Sequence, residues 1–317
     1  MSDFMEWMKE KRSKPPTDKV MDLKEAISTF VQSGCTLGLG LNFHPTAATY
    51  EMIRQGITDL TLVWDSHVWL ASVLIGLGRV KKAEFAYNWG GIEGQDNVWR
   101  RAVEKGIPRP IEVEEYSNYS IGQRWFAGSI GLPFMPTKSM LGSDMITYNP
   151  RIKVMECPYT GRPIALVPAS NPDVALIHVQ RADPFGNCQF FGMYGNTDVL
   201  ARASRRVIVT CEEIVTSGEI RRMPNLTLIP YMYVDAVVQV PYGGHYRECH
   251  YYYLHDLPFG LWTYEQWATH EGFLKWCDDY IFGCQDWNEY CSKVGWDRLR
   301  KLTEIERKYQ QFGEVRW

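Results

Sequence analysis

From about residue 21 the chain alternates between amphipathic stretches and short, continuously apolar runs. Asp22 precedes LKEAISTFVQSG, whose apolar spacing predicts a helix capped by Asp22 and closed at Gly34. CTLGLGL then reads as a buried strand. After the loop NFHP, Pro45 suits the first turn of a second helix, TAATYEMIRQG, which Gly56 closes. The rhythm continues as strand LTLVWDS, helix WLASVLIGLG, strand VKKAEFAY, helix NVWRRAVEKG and strand IEVEEY. SIGQRWFAGSIG and a Pro-rich connection, LPFMPTKSM, come next. Beyond them lie strands IALVPAS and VALIHVQ, the turn ADPFGN, CQFFGMY, the helix TDVLARAS, and strands VIVTCEE and VDAVVQVPYGG.

Apolar strands separated by helices predict an α/β fold: an open, mostly parallel sheet with helices on both faces. From about Thr263 the pattern becomes helical and rich in Trp and Tyr. The expected organisation is therefore a solvated N-terminal extension (1–20), an α/β domain (21–262) and an aromatic-rich helical tail (263–317). Large aromatics bury much area, so the tail should pack on the domain or in a subunit interface.

Composition narrows the function classes. The 317 residues are 45% hydrophobic and 22% charged, with a formal net charge of -3. That balance gives no electrostatic footprint for nucleic acid or an anionic membrane surface. No apolar run approaches the length of a membrane span. MSDFMEWMKEKRSKPP lacks the apolar centre of a signal peptide, so a cytoplasmic location is expected. Eight cysteines without a C-x-x-C pair suggest free, mostly buried thiols. His245, Cys249, His250 and His255 form a loose cluster whose spacing fits no common zinc pattern, and no metal is expected.

Three places carry candidate chemistry. Gly38 and Gly40 end the first strand, where missing side chains permit either close approach of a ligand or tight helix–strand packing. The helix after Pro45 would aim N–H groups into the same loop. The pairs Glu114-Glu115 and Glu212-Glu213 follow strands, but neighbours on an extended backbone face opposite ways, which favours solvated or structural roles. Pro241-Tyr242-Gly243-Gly244-His245 follows the last strand, and reads either as a cleft holding an imidazole or as a tight turn. There is no G-x-G-x-x-G, G-x-S-x-G, Walker or H-E-x-x-H pattern.

RQGITDLTLV, IGLGRVKKA, GLPFMP, DVALIHVQRADPFGN, VIVTCEEIV, EIRRMP and VDAVVQVPYGGH occur in one order across roughly residues 20–300. This succession resembles α subunits of class I coenzyme A transferases, most closely the glutaconate type. The resemblance implies α and β subunits of similar architecture that share an active site. A β-subunit glutamate attacks the acyl-CoA thioester, and covalent carboxylate catalysis follows through a glutamyl-CoA intermediate. That glutamate belongs to a short Ser/Glu/Gly-type motif; here Glu93 in Gly91-Ile92-Glu93-Gly94 is only a faint imitation. So no catalytic residue is expected in this chain, and no permanently bound cofactor, with a CoA thioester as substrate. The implied partners are a β-type subunit, an acyl-CoA and a carboxylic acid, in an α2β2 or larger heteromer. Substrate contacts are expected at Gly38, Gly40, Asn42, His44, Asn118, Gly243, Gly244 and His245.

Two departures bear on the substrate. In the family, the loop after the first strand carries Gly-Gly and a basic stretch; here it reads Gly40-Leu41-Asn42-Phe43-His44-Pro45. Loss of the cations predicts an acyl group less acidic, or more apolar and aromatic, than glutaconate. Related ring-opening hydrolases of steroid catabolism use an α-subunit glutamate whose position falls on Asn118 here, which lowers that reading. Related decarboxylases rely on a β-subunit cysteine and stay open, as does a non-catalytic acyl-CoA-binding subunit.

Overall fold

The computed structural model describes residues 2–40, 44–66 and 69–312. Helices α1 (Ser2–Arg12) and α2 (Leu23–Phe30) lead into β1 (Thr36–Leu39), α3 (Thr46–Arg54), β2 (Leu60–Trp64), α4 (Trp69–Gly76) and β3 (Val80–Phe85). Then come α5 (Asn97–Lys105), β4 (Glu112–Glu115), α6 (Asn118–Ile130), β5 (Phe134–Thr137), α7 (Met145–Tyr148), β6 (Lys153–Glu156) and β7 (Pro163–Pro168). The second half holds β8 (Val174–Ala182), β9 (Cys188–Gln189), α8 (Thr197–Ala203), β10 (Arg206–Ile214), α9 (Ser217–Arg222), β11 (Thr227–Ile229) and β12 (Ala236–Gln239). Four helices close the chain: α10 (Leu257–Gln266), α11 (His270–Cys277), α12 (Trp287–Val294) and α13 (Trp296–Phe312).

Seven strands pair in parallel in the order β4-β3-β2-β1-β8-β10-β12. The winding direction reverses between β1 and β8, because β1 to β4 step outward on one side and β8, β10 and β12 on the other. In open α/β sheets such a switch point leaves a crevice beyond the strand C-termini where ligands bind. β8 is buried from Val174 to Gln180, as a central strand covered on both faces must be. β4 sits at the edge with Glu112 and Glu115 exposed, a charged rim that discourages further pairing.

IALVPAS does not join this sheet. β7 pairs with β5 and β6 in a separate antiparallel sheet. Pro133, Pro136, Pro163 and Pro168 flank or occupy these strands and lack the N–H a central position would need. SIGQRWFAGSIG lies within α6, with Ser117 Oγ capping the Ser120 N–H and Gly131 closing the helix at a left-handed φ of 79°. α2 stops at Phe30, short of Gly34, because Val31 turns extended and buries its side chain.

Residues 1–20 are more than a solvated extension. α1 buries Met8 and Lys11, and the Lys11 ammonium donates to the Ser204 carbonyl just beyond α8. Met21 N–H and Lys19 C=O pair with Val237 on the free edge of β12. The C-terminal helices carry the expected aromatics onto α3 and α4: Tyr50 meets the rings of Trp69, Trp276, Trp287 and Tyr290 at 5.5–6.4 Å, all edge-on. α10 begins before Thr263, so the junction with this layer falls near Leu257. All eight cysteines are free thiols, six of them buried. No described helix is long and apolar enough to cross a membrane.

A crevice at the switch point and a buried clamp beside it

β1 delivers Gly38 and Gly40 to the switch point, but both are packing glycines. A Cβ at Gly38 would lie 2.6 Å from Leu200 Cδ1, and one at Gly40 would lie 3.1 Å from Thr197 Oγ1. They let α8 cross closely over the strand end. Gly38→Ala should therefore destabilise the protein by about 1–3 kcal/mol through overpacking. Urea unfolding of the two proteins measures it, and an unchanged midpoint would contradict the packing role.

α6 and α8 frame the crevice from the other side. Gly122 of α6 lets Asn196 approach, since a Cβ there would sit 2.7 Å from Asn196 Oδ1. Asn196 Nδ2 donates to Asp65 Oδ2 at 3.0 Å, which ties the start of α8 to the end of β2. Asn118, at the first turn of α6, opens onto the resulting groove of about 550 Å³ with Tyr119, Gln123, Phe126, Met135 and Asn196. Thr197 Oγ1 and Gln123 Oε1 are buried here without a protein partner among the described residues. Such atoms are available to a bound molecule.

The second group of expected contacts belongs to a different assembly. Gly243 and Gly244 form a tight turn whose carbonyls face α3: Ala47 N–H donates to Gly243 O at 3.0 Å and Thr46 Oγ1 to Gly244 O at 3.2 Å. The helix N–H expected to point at a ligand is thus taken by the turn. His44 is buried, and its carbonyl accepts the Thr46 N–H at 2.8 Å. Asn42 lies outside the described residues.

His245 lies in the interior. It is fully buried, with Nδ1 2.8 Å from Tyr290 Oη and Nε2 3.2 Å from Asp256 Oδ2, and Arg298 forks onto the same carboxylate. Burial holds its pKa below the ordinary histidine value. This network fastens α12 and α13 to the domain. The loose His/Cys cluster is split accordingly: His255 pairs with Glu93, while Cys249 lies with His178 and Glu212. Those three could offer ligand atoms within 4.8 Å of one another, but His178 and Glu212 already spend theirs on hydrogen bonds.

The carboxylates behave as the pleat requires. Glu114 and Glu212 point inward, Glu115 and Glu213 outward. Glu114 meets Lys82 at 2.6 Å and also accepts the Tyr116 hydroxyl. Glu93 has no exposed side-chain surface and lies 3.2 Å from Arg247 and 3.1 Å from His255. Burial opposes its ionisation, but those two partners outweigh burial and hold its pKa below the usual carboxylate range. Asp65, Asn196, Thr197 and His178 escaped sequence reasoning as members of this region, and Glu212 was weighed there only for a solvated or structural role. The available signals were an Asp ending an apolar strand, an Asn-Thr pair opening a helix, and one His inside VALIHVQ.

Comparison with known proteins places this chain in a family. The coenzyme A transferase profile matches residues 20–240. The A-type subunit of glutaconate CoA-transferase from Acidaminococcus fermentans is 36% identical over 307 residues, covering 90% of this chain and 95% of that one. The chain belongs to the coenzyme A transferase family. The solved structure of glutaconate coenzyme A-transferase from A. fermentans superposes with a TM-score of 0.85, and the match covers 90% of this chain and 95% of that chain. The A-type subunit of 3-oxoadipate CoA-transferase from Pseudomonas knackmussii is 38% identical over 284 residues, 87% of this chain and 98% of its own. A variant of the decarboxylase AibA/AibB matches at 29% identity and a TM-score of 0.69, covering 83% of this chain and all of the other. As a CoA transferase of the α type, the chain has the fold the sequence resemblance implied: a mostly parallel sheet, helices, and an aromatic-rich helical C-terminus.

Proposed function

We propose that this α-type CoA transferase chain works in the cytoplasm with a β-type subunit, moving CoA from an acyl-CoA to a carboxylic acid. The partner supplies the nucleophile and this chain supplies the wall that receives the acyl group. A partner glutamate oxygen attacks the thioester carbonyl; the C–S bond breaks, leaving an acyl-glutamyl anhydride and CoA thiolate. The thiolate then attacks the glutamyl carbonyl, releasing the acyl group as a carboxylate and leaving glutamyl-CoA. The second carboxylate attacks that thioester, and CoA thiolate returns to the new acyl carbonyl, restoring the glutamate.

The observation that carries the acyl-group reading is the groove beside Asn118. Among the described residues its lining has two asparagines, a glutamine, aromatic and apolar side chains, and no charged residue. A second carboxylate on the acyl chain would meet no cation among these residues, whereas an apolar or aryl acyl group would bury apolar surface. Asn118 is exposed, so Asn118→Ala should leave the melting temperature unchanged. It should shift kcat/KM ratios between acyl-CoAs by about 3- to 10-fold, the size of one hydrogen bond. Kinetics on dicarboxylic, alkyl and aryl acyl-CoAs check both the shift and the expected preference for uncharged acyl groups.

Borohydride trapping of the complex during turnover tests the chemistry. Reduction of a partner glutamate is the expected result. Acyl-CoA-dependent modification of a partner cysteine instead would favour decarboxylation, and modification of Glu93, Glu212 or Glu213 would overturn the division of roles between the two chains.

A further inference from the structure

We propose that Glu212 is a positioning residue, which with His178 and Tyr253 sets His44 and the first turn of α3 beside the crevice. The inference rests on the crevice being the acyl-CoA site. Glu212 is nearly buried at the C-terminal end of β10, and its two oxygens accept from four donors. His178 Nε2 lies 2.7 Å from Oε1, with Tyr253 Oη at 3.0 Å and the Gly243 N–H at 3.2 Å; the Tyr242 N–H reaches Oε2 at 2.7 Å. Tyr253 Oη in turn accepts the Gly244 N–H at 2.9 Å. The Tyr242 N–H therefore ends on this carboxylate, the Gly244 N–H on the phenol it holds, and the Gly243 N–H is shared between Glu212 Oε1 and Val240 O at 2.9 Å.

The other side of the turn faces the loop. Gly243 O and Gly244 O receive Ala47 N–H and Thr46 Oγ1, and His44 O lies 3.2 Å from where a Gly244 Cβ would be. No side chain fits at Gly243, where a Cβ would lie 2.7 Å from Val240 O and 2.9 Å from the His178 ring, and one at Gly244 would be tight at 3.0 Å from Tyr253 Oη. The turn thus works as a rigid connector, with donors toward Glu212 and acceptors toward the first turn of α3. His178 is held in its turn by Thr210 Oγ1 at 2.8 Å from Nδ1. Since the Glu212 carboxylate only accepts, Nε2 donates to it, and in the neutral imidazole Nδ1 accepts from Thr210. The chain Thr210–His178–Glu212–turn–α3 thus places His44 and the first turn of α3. A displacement of about 1 Å at such a site costs on the order of 100-fold in rate.

Glu212→Gln keeps the shape but puts an NH2 group against donors. In the complex with its partner, amide hydrogen exchange across residues 44–50 should quicken about tenfold or more, as a turn left with unpaired groups opens. Exchange in β2 should stay unchanged. Turnover should fall about 10- to 100-fold in kcat, with the KM for acyl-CoA within about twofold. Tyr253→Phe, which removes one hydroxyl, should give a smaller change in the same peptide and covers the case in which Glu212→Gln does not fold. Unchanged exchange at 44–50, or an increase spread evenly over the chain, would overturn the clamp, as would a normal kcat. If the wild-type complex transfers no CoA, the functional reading fails, and the exchange data still judge the clamp alone.

Discussion

Purified without its partner, the chain should transfer no CoA, and adding the partner should raise turnover by on the order of 10⁴-fold or more, the scale of losing a covalent nucleophile. The acids nearest the sheet's C-terminal edge explain why. Asp65 is buried and accepts from Asn196 and the Ser66 N–H. Glu93 is enclosed by Arg247 and His255, and Glu212 is saturated by four donors. Glu114 is held below the usual carboxylate range: burial opposes this, but Lys82 and Tyr116 prevail. Asp65, Glu114 and Glu212 have their oxygens engaged by donors, Glu93 is shut in behind two cationic partners, and none of the four lines the groove. The partner should sit on the outward face of α6, where Tyr119, Phe126 and Ile130 are exposed and the helix's one charged residue, Arg124, is buried against Glu84. That face is continuous with the groove, so a partner chain covering it would bring its own residues to the acyl group. Phe126→Asp with Ile130→Asp should abolish co-purification and activity while leaving the isolated fold intact. Turnover by the lone chain, or an intact complex in the double variant, would refute the respective claim.

Asp256→Ala should cost about 3 kcal/mol and lower the melting temperature by several degrees. Asp256 is buried, pairs with His245 and Arg298, and caps α10 through the Phe259 N–H at 3.2 Å. Arg298 can turn to solvent when its partner is lost, so most of the penalty falls on the fully buried His245 and the uncapped helix. The pH dependence has a defined sign. Burial works against ionisation of Asp256, yet Arg298 and His245 hold its carboxyl well below the unfolded value. Its contribution is therefore present above about pH 4 and lost as pH falls further. His245 is depressed by burial, so unfolding takes up protons below about pH 6.5 and acid destabilises there as well. Asp256 is the main group raising the His245 pKa, so its removal depresses His245 further. Between pH 7 and pH 5 the variant's melting temperature should fall more steeply than the wild type's. Parallel curves would exclude the coupling.

Hydrophobic period determined the strands of the main sheet, most of the helices between them (α6 and α9 excepted), and the aromatic layer at the C-terminus. Each of these signals is local: a run such as VALIHVQ buries both faces wherever it lies. The order of family-like segments added the kind of chemistry. Tertiary structure decided what local pattern cannot carry. Glycine reads alike whether it admits a ligand or a neighbouring helix, and only the approach of Leu200 and Thr197 assigned Gly38 and Gly40 to packing. Gly243, Gly244 and His245 looked like one motif, yet the turn spends its N–H groups on Glu212 and Tyr253 while His245 locks the C-terminal helices. Asn118 lines a groove whose other wall, Asn196 and Val199, comes from about 80 residues further along. Hydrogen bonds across such separations depend on which strands pair across the switch point, and that pairing is a property of the folded sheet.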